Sequence, residues 1–463
     1  MRIINSYIVL LLLCSAQWSF AQQPKPNIIL IIADDLGYKD LGFMGGEHFH
    51  SPNLDALAKQ AHVYYQAYAG AANCAPSRAS LLTGLNTPRH GIYTVGNSAQ
   101  GKSADRKIIP IANTDVLNED LQTMADFLSK QGYQTASIGK WHVGETPLNY
   151  GFQYNFAGNH QGHNKHFSPY NNPDIPDGEA GEYLTDRVTD EAIRYMKQTQ
   201  AEKPYFMYLS YFAVHTPIQA PDSLVQQYAG KKGTGTEDYP TYAVMVHSLD
   251  QNIGRIVQQI KDSGQAENTL LIFCSDNGGI NFISPQSPLR AGKGSYYEGG
   301  IRIPMFFHWP TKIKAQQDEQ SIISLLDVFP TLVDLLHPHE NKPKLDGQSL
   351  WPTLQNGKSS QSTLYWHYPI YLRAYNPQVD DGRDPLYRTR PGTAIRHKNW
   401  KMQYFYEDNQ AELYDLNSDI GERHNLAQEQ PRTLRKLEKM MKAWIEKTKA
   451  PIPTELNPDY QSK

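Results

Sequence analysis

The run Ile28-Ile29-Leu30-Ile31-Ile32-Ala33 leads straight into Asp34-Asp35. Six aliphatic residues without polar alternation predict a strand buried on both faces, as in parallel sheets. Short apolar runs of the same kind recur at 135–138, 205–213, 269–275 and 303–309. Helical periodicities lie between them. Ser51-Pro52 opens a helix with Leu54, Leu57, Ala58 and Ala61 on its apolar face, and helices are predicted over 118–130, 182–197 and 322–336. Tyr242, Met245, Leu249, Ile253, Ile256 and Ile260 trace one face of a longer helix. This alternation argues an α/β fold with a largely parallel sheet flanked by helices.

Chemistry-bearing residues follow the ends of these runs. Asp34 and Asp35 follow the first, Lys140 and His142 the second, His215 the third, and Asp276 with Asn277 the fourth. Open α/β sheets bind ligands outside the carboxyl ends of their strands. Either acidic group alone reads equally well as a turn. Together they carry more weight, because adjacent carboxylates at the end of a buried strand are costly unless a positive group binds there. Asp34, Asp35, Asp276 and the amide oxygen of Asn277 are hard oxygen donors, a set that suits Ca²⁺ or Mg²⁺ rather than zinc. Lys140, Lys293, His142, His215 and Arg78 would add cations and proton carriers, which suits a tetrahedral oxyanion ester.

The segment Asn73-Cys74-Ala75-Pro76-Ser77-Arg78-Ala79-Ser80-Leu81-Leu82-Thr83-Gly84 predicts a helix that starts near Cys74, with Pro76 in its first turn. Two readings stand side by side. Cys74 is a buried packing residue, or it meets an anion at a helix start with Arg78 one turn on. Spacing leaves the nucleophile open, since a thiolate beside a hard metal is an unusual choice.

Composition sets the frame. The chain has 463 residues, 44 Lys plus Arg against 47 Asp plus Glu, and a net charge of −3, so no basic field points to nucleic acid as a partner. With 29 tyrosines, exposed rings that hold sugars are expected. Arg2, the apolar run 8–13 and Ser19-Phe20-Ala21 predict a signal peptide over 1–21 and export to the periplasm or medium, with lipidation at Cys14 ranked second. Three cysteines exclude a disulfide framework, and no later run is long enough to span a bilayer. Two parts are expected: a catalytic domain over 22–350, and a C-terminal subdomain over 351–463 with short strands at 364–368, 400–406 and 412–416 and a helix through Leu434, Leu437, Met441, Trp444 and Ile445. His160, His163 and His166 mark one substrate-facing or solvated loop. Arg383, Arg388 and Arg390 mark another, which would read a carboxylate or sulfate.

CAPSRASLLTG at 74–84 resembles the type I sulfatase signature C-x-P-S-R-x-x-x-x-T-G without a break. ADD at 33–35, GKWHVG at 139–144, HTP at 215–217, SDNGG at 275–279, GKGSYYEGGIRIP at 292–304 and ELYDLNSDIGERHNLA at 412–427 resemble that family's other blocks, in its order. The resemblance implies an alkaline-phosphatase-like fold with a large mixed sheet and a smaller C-terminal subdomain. It also implies that a formylglycine-generating maturation enzyme converts Cys74 to 3-oxoalanine, whose hydrate attacks sulfate sulfur to give a sulfoenzyme intermediate. Asp34, Asp35, Asp276 and Asn277 would hold Ca²⁺ together with that hydrate. Arg78 would orient the hydrate, Lys140 and Lys293 would hold sulfate oxygens, and His215 would protonate the departing sugar oxygen with Lys293. His142 would take the proton that lets the aldehyde re-form.

Export, aromatic richness and the two loops point to a sulfated carbohydrate, from an algal polymer such as ulvan or carrageenan first and a glycosaminoglycan second. His160, His163, Arg388 and Arg390 are its candidate contacts beyond the sulfate. Three rivals remain at this stage: a phosphodiester or phosphonate monoester hydrolase on the same fold, a silent carbohydrate-binding protein, and a thiol redox protein, which the lack of a nearby second cysteine disfavours.

Overall fold

The computed structural model describes residues 25–162, 164–199, 203–228, 239–336, 343–357 and 359–461. The expected signal peptide with Cys14, and His163, lie outside the described residues. Eight strands form the main sheet: β1 (Asn27–Ala33), β2 (His62–Tyr68), β3 (Gln134–Gly139), β4 (Tyr154–Phe156), β5 (Tyr205–Ser210), β6 (Thr269–Ser275), β7 (Arg302–His308) and β8 (Gln316–Ser324). Their spatial order is β4-β3-β5-β1-β6-β7-β2-β8. Only β7 runs against the others, antiparallel to both β6 and β2. This is the mixed, mostly parallel sheet that the sequence implied.

β1 lies at the middle, and all seven of its residues are buried. Ile29, Ile31 and Ala33 face one core, shared with the helices Leu184–Gln198 and Tyr239–Asp262. Ile28, Leu30 and Ile32 face the other, against the helices Cys74–Thr83, Met124–Lys130 and Val328–Leu336. A strand with helices on both faces has no solvent side, so its sequence has no polar alternation.

Several elements differ from expectation. The helix predicted from 118 starts at Met124, because the Thr123 hydroxyl accepts from Asp126 N at 3.1 Å while Asp126 Oδ2 accepts from Thr123 N at 2.9 Å. That reciprocal cap fixes the start. The helix predicted over 322–336 starts late: residues 322–324 belong to β8 and 325–327 form a 3₁₀ turn. Ile322 and Ile323 end β8 in register with Gln66 and Ala67 of β2, and the helix proper begins at Val328. β-branched residues pack well on a pleated surface. Ser51 stands before the helix Pro52–Ala58 but makes no capping bond to it; its hydroxyl accepts from Gly42 N and donates to Asp55 instead. Ala61 lies past that helix.

Beyond the main sheet the chain forms β9 (Leu364–Tyr368), β10 (Leu372–Arg373), β11 (Tyr387–Thr389), β12 (Gly392–His397), β13 (Trp400–Phe405) and β14 (Gln410–Asp415). Four make an antiparallel sheet in the order β14-β13-β12-β9, and β10 pairs with β11. Leu437 and Met441 of the helix Pro431–Thr448 cover it through Ile395, Met402 and Leu413. A buried ion cluster ties this sheet to the main one. Lys401 on β13 lies 3.0 Å from Glu298 and 2.9 Å from Glu422, and Glu298 N donates to Glu422 Oε2 at 2.6 Å. Among the described residues no helix is long and apolar enough to cross a membrane.

One buried imidazole gives the fold a measurable pH dependence. His90 Nδ1 accepts from Ile92 N at 3.2 Å and Nε2 faces Ser80 Oγ at 3.0 Å, a neutral arrangement. Burial pushes its pKa down to about 3. The unfolded chain therefore takes up this proton first, and stability is lost as pH falls below the ordinary histidine value of about 6.5. Denaturant titrations from pH 6.5 to 4 are expected to give His90→Gln a stability slope shallower than the parent's, by up to about 1.4 kcal/mol per pH unit. Parallel slopes would contradict a neutral buried His90.

Candidate active site

The topology sets β3, β5, β1 and β6 side by side and parallel, so their carboxyl ends open on one edge. Backbone bonds continue the pairing past the strands: Asp34 N donates to Ala213 O at 2.9 Å, Val214 N to Asp34 O at 2.9 Å and Lys140 N to Ser210 O at 2.8 Å. Lys140, His215, the two aspartates and Asp276 are thereby held in one row. Gly139 permits the turn into Lys140. Its φ is +101°, and a Cβ there would stand 1.9 Å from Ser210 O.

Asn73 is extended, the helix begins at Cys74, and Gly84 ends it in the left-handed region. Cys74 Sγ lies 3.5 Å from Asp35 Oδ1. Arg78 is fully buried, with Nε and Nη2 each 2.8 Å from Asp276 Oδ2. Its Nη1 donates to Lys140 O at 3.2 Å and to Ser210 Oγ. The guanidinium is thus a brace between the cysteine helix and three strand ends.

Each carboxylate has its own cation. Lys140 Nζ lies 2.6 Å from Asp34 Oδ2, and Lys293 Nζ lies 2.6 Å from Asp35 Oδ2. His215 Nε2 is 3.1 Å from Lys293 Nζ and 3.5 Å from Asp35 Oδ2. Burial alone would raise the Asp35 carboxyl, but the charges of Lys293, His215 and Lys140 outweigh it and hold the group well below the usual carboxylate range. Asp34 goes the other way. Burial, helped by neighbouring Asp276, lifts it despite Lys140. Burial and then the Lys293 charge push His215 down to about 4, and burial with the surrounding cations depresses His142 further. Burial and Asp35 raise the Cys74 thiol well above its ordinary value, so Cys74 as it stands is a neutral thiol and a poor nucleophile.

A hard cation fits this donor set. Among the described residues, Asn277 Oδ1 and Asp34 Oδ1 are buried without a hydrogen-bond partner, and Arg78 Nη2 lies 3.5 Å from Asp34 Oδ1. Ligand atoms of Asp34, Asp35, Cys74 and His215 all lie within 4.8 Å of one another. Oxygen donors with unsatisfied lone pairs match Ca²⁺ or Mg²⁺.

The remaining predicted residues divide. His142 borders the site, buried with a left-handed φ of 67°, its amide bonded to Asn159 O and its Nδ1 without a partner. His160 is exposed on the same loop, while His166 turns inward and its Nε2 meets His215 O at 2.9 Å. The arginines of the other loop are engaged by the protein's own groups, Arg383 while only partly buried. Arg390 pairs with Asp384 and Glu407, each at 2.5 Å, and Arg383 with Asp408 at 2.6 Å. Arg388 donates to the backbone oxygens of Lys293 and Arg373, each at 2.9 Å. Residue types alone did not reveal the support given by Ser210 and His166, because a serine inside a strand and a loop histidine carry no pattern.

Fold and constellation define an enzyme of the alkaline-phosphatase-like class, with cations and carboxylates gathered where a tetrahedral ester would sit. The family model named Sulfatase matches residues 26–338, and the model of the N-sulphoglucosamine sulphohydrolase C-terminal region matches residues 292–450. A sulfatase of Formosa agariphila is 32% identical over 95% of this chain and 92% of its own. Human N-acetylgalactosamine-6-sulfatase is 31% identical over 75% of this chain and 69% of its own. The solved structure of Ps i-CgsB in complex with k-i-k-neocarrahexaose superposes with a TM-score of 0.73 at 30% identity, covering 94% of each chain. The chain belongs to the sulfatase family, and is a sulfuric ester hydrolase by class.

The brace yields a test of stability. Arg78→Lys keeps the charge but loses the planar fork that serves Asp276, Lys140 O and Ser210 together. Chemical denaturation is expected to show a loss on the order of 3 kcal/mol, the scale for breaking a buried ion pair. A loss below about 1 kcal/mol, within the range of exposed pairs, would show that Arg78 does not brace the site.

Proposed function

We propose that the chain removes sulfate from sulfated carbohydrates through a formylglycine made from Cys74. The carrying observation is Cys74 at the first turn of a buried helix, against Asp35 and inside a ring of Lys140, Lys293, His215 and Arg78. A buried neutral thiol offers no nucleophile there, whereas a formylglycine hydrate supplies a hydroxyl nucleophile and a second hydroxyl for release by elimination. Asp34, Asp35, Asp276 and Asn277 would hold a divalent cation, Ca²⁺ in preference to Mg²⁺, which supplies charge to polarise a sulfate oxygen.

The chain's own groups do the rest. Lys140 and Lys293 lie on either side of the aspartates and bind sulfate oxygens. Lys293 and His215, 3.1 Å apart, pass a proton to the departing sugar oxygen. His142, neutral at working pH, accepts the proton at residue 74. The solved relative bound to k-i-k-neocarrahexaose supports an algal galactan sulfate as substrate, with a glycosaminoglycan sulfate second on the strength of the human relative's name. Residues 1–21 would direct export.

Protein made with a formylglycine-generating enzyme is expected to carry formylglycine at position 74 by peptide mass spectrometry and to release sulfate from an aryl sulfate faster than phosphate from the matched aryl phosphate. Full activity in a wholly thiol preparation would remove the mechanism, and a preference for phosphate would remove the substrate class. The cation has its own measurement. Ca²⁺ at about 100 times its Kd is expected to raise stability by about 2.7 kcal/mol, seen as a higher melting temperature. Asp34→Asn and Asn277→Ala should abolish that rise; an undiminished rise in both would place the cation elsewhere.

A further inference from the structure

The loop between β10 and β11 was put forward for its arginines, yet what it presents to solvent is a ring. Tyr375 is 49% exposed, and Val379 and Leu386 of the same loop are each 39% exposed. Exposed apolar groups clustered beside a charged site are a ligand-facing feature rather than the scatter found on any surface. The ring is also held in place. The Arg388 guanidinium carbon lies 3.3 Å from the Tyr375 ring centroid, Phe282 approaches it edge-on at 6.0 Å, and Tyr375 N donates to Asp380 at 2.5 Å. Across the gap, the Asn281 side chain donates to Val379 O, which ties the loop to the segment after Asn277.

Arg388 joins this ring to the reacting groups. Its Nη1 holds the backbone oxygen of Lys293, whose ammonium lies against Asp35 and His215, and Thr389 Oγ1 donates to Gly294 O. One buried guanidinium therefore fixes the lysine on the leaving-group side and the aromatic face next to it. A sulfated sugar bound through its sulfate would bring a pyranose ring to this position, and the C–H face of a pyranose packs on an aromatic ring.

We propose that Tyr375 is the stacking platform for the sugar of the substrate and so a specificity-determining residue, with Arg388 a positioning residue behind it; this rests on the sulfated-carbohydrate reading above. On this reading the loop selects a sugar ring while its arginines are held by the protein's own carboxylates and backbone oxygens, and the sulfate is read at the strand ends.

Binding measured by calorimetry on the full chain tests it without depending on turnover. The probes are sulfated disaccharides from carrageenan, ulvan and chondroitin sulfate, with inorganic sulfate as the ring-free reference. Tyr375→Ala is expected to weaken the best disaccharide about tenfold while inorganic sulfate changes by less than about twofold, and Tyr375→Phe should bind like the parent. An unchanged disaccharide Kd in Tyr375→Ala overturns the platform and leaves the substrate class intact. An equal loss for inorganic sulfate overturns it too, because Tyr375 would then act on the sulfate site through Arg388 and Lys293. A parent protein that binds sulfate but no sulfated disaccharide removes the carbohydrate reading, and the platform with it.

Discussion

The controlling constraint is the placement of two carboxylates at the buried end of the central strand. Asp34 and Asp35 continue β1 into the interior, where a carboxylate survives only beside compensating charge. The compensation converges from several elements: Lys140 from the end of β3, Lys293 from the segment before β7 and Arg78 from the cysteine helix, with a hydrogen bond from Asn277 just past β6. Coulomb attraction thus fixes how the strand ends, the helix and the loop converge.

Much of the frame was legible because β1 and β6 are apolar through their middles and have no solvent face. The edge was less so. β2 reads His-Val-Tyr-Tyr-Gln-Ala-Tyr with Tyr65 and Gln66 half-buried, a mixture that fits no simple period, and β8 begins with polar residues before Ile322. The residues proposed to hold a cation were readable for a local reason: each follows a strand, and parallel strands bring their ends together. Arg383, Arg388 and Arg390 were readable only as charges. Arg390 pairs with Asp384 and Glu407, Arg383 with Asp408 past β13, and Arg388 with backbone oxygens, so the sequence offered no sign that all three are engaged by the protein's own groups. The chemistry at Cys74 was not contained in spacing at all, and came from resemblance.

The C-terminal sheet belongs to the site as much as to its own core. Lys401, Glu298 and Glu422 clamp it beside the loop that carries Lys293, and Arg388 reaches the backbone of that lysine. The groups proposed to hold the sulfate and the segment proposed to face the rest of the substrate therefore sit on separate stretches of chain joined by this ion cluster. Sequence change in the second can alter what is bound while the first is left alone.

All ten residues of the helix Cys74–Thr83 are buried. An enzyme that oxidises Cys74 needs the segment around it in hand, and the finished protein offers none of it. If Cys74 is to become formylglycine, the burial of this helix requires modification before folding. On the formylglycine reading, a molecule that folds first encloses Cys74 as a neutral thiol, out of a maturation enzyme's reach until it unfolds.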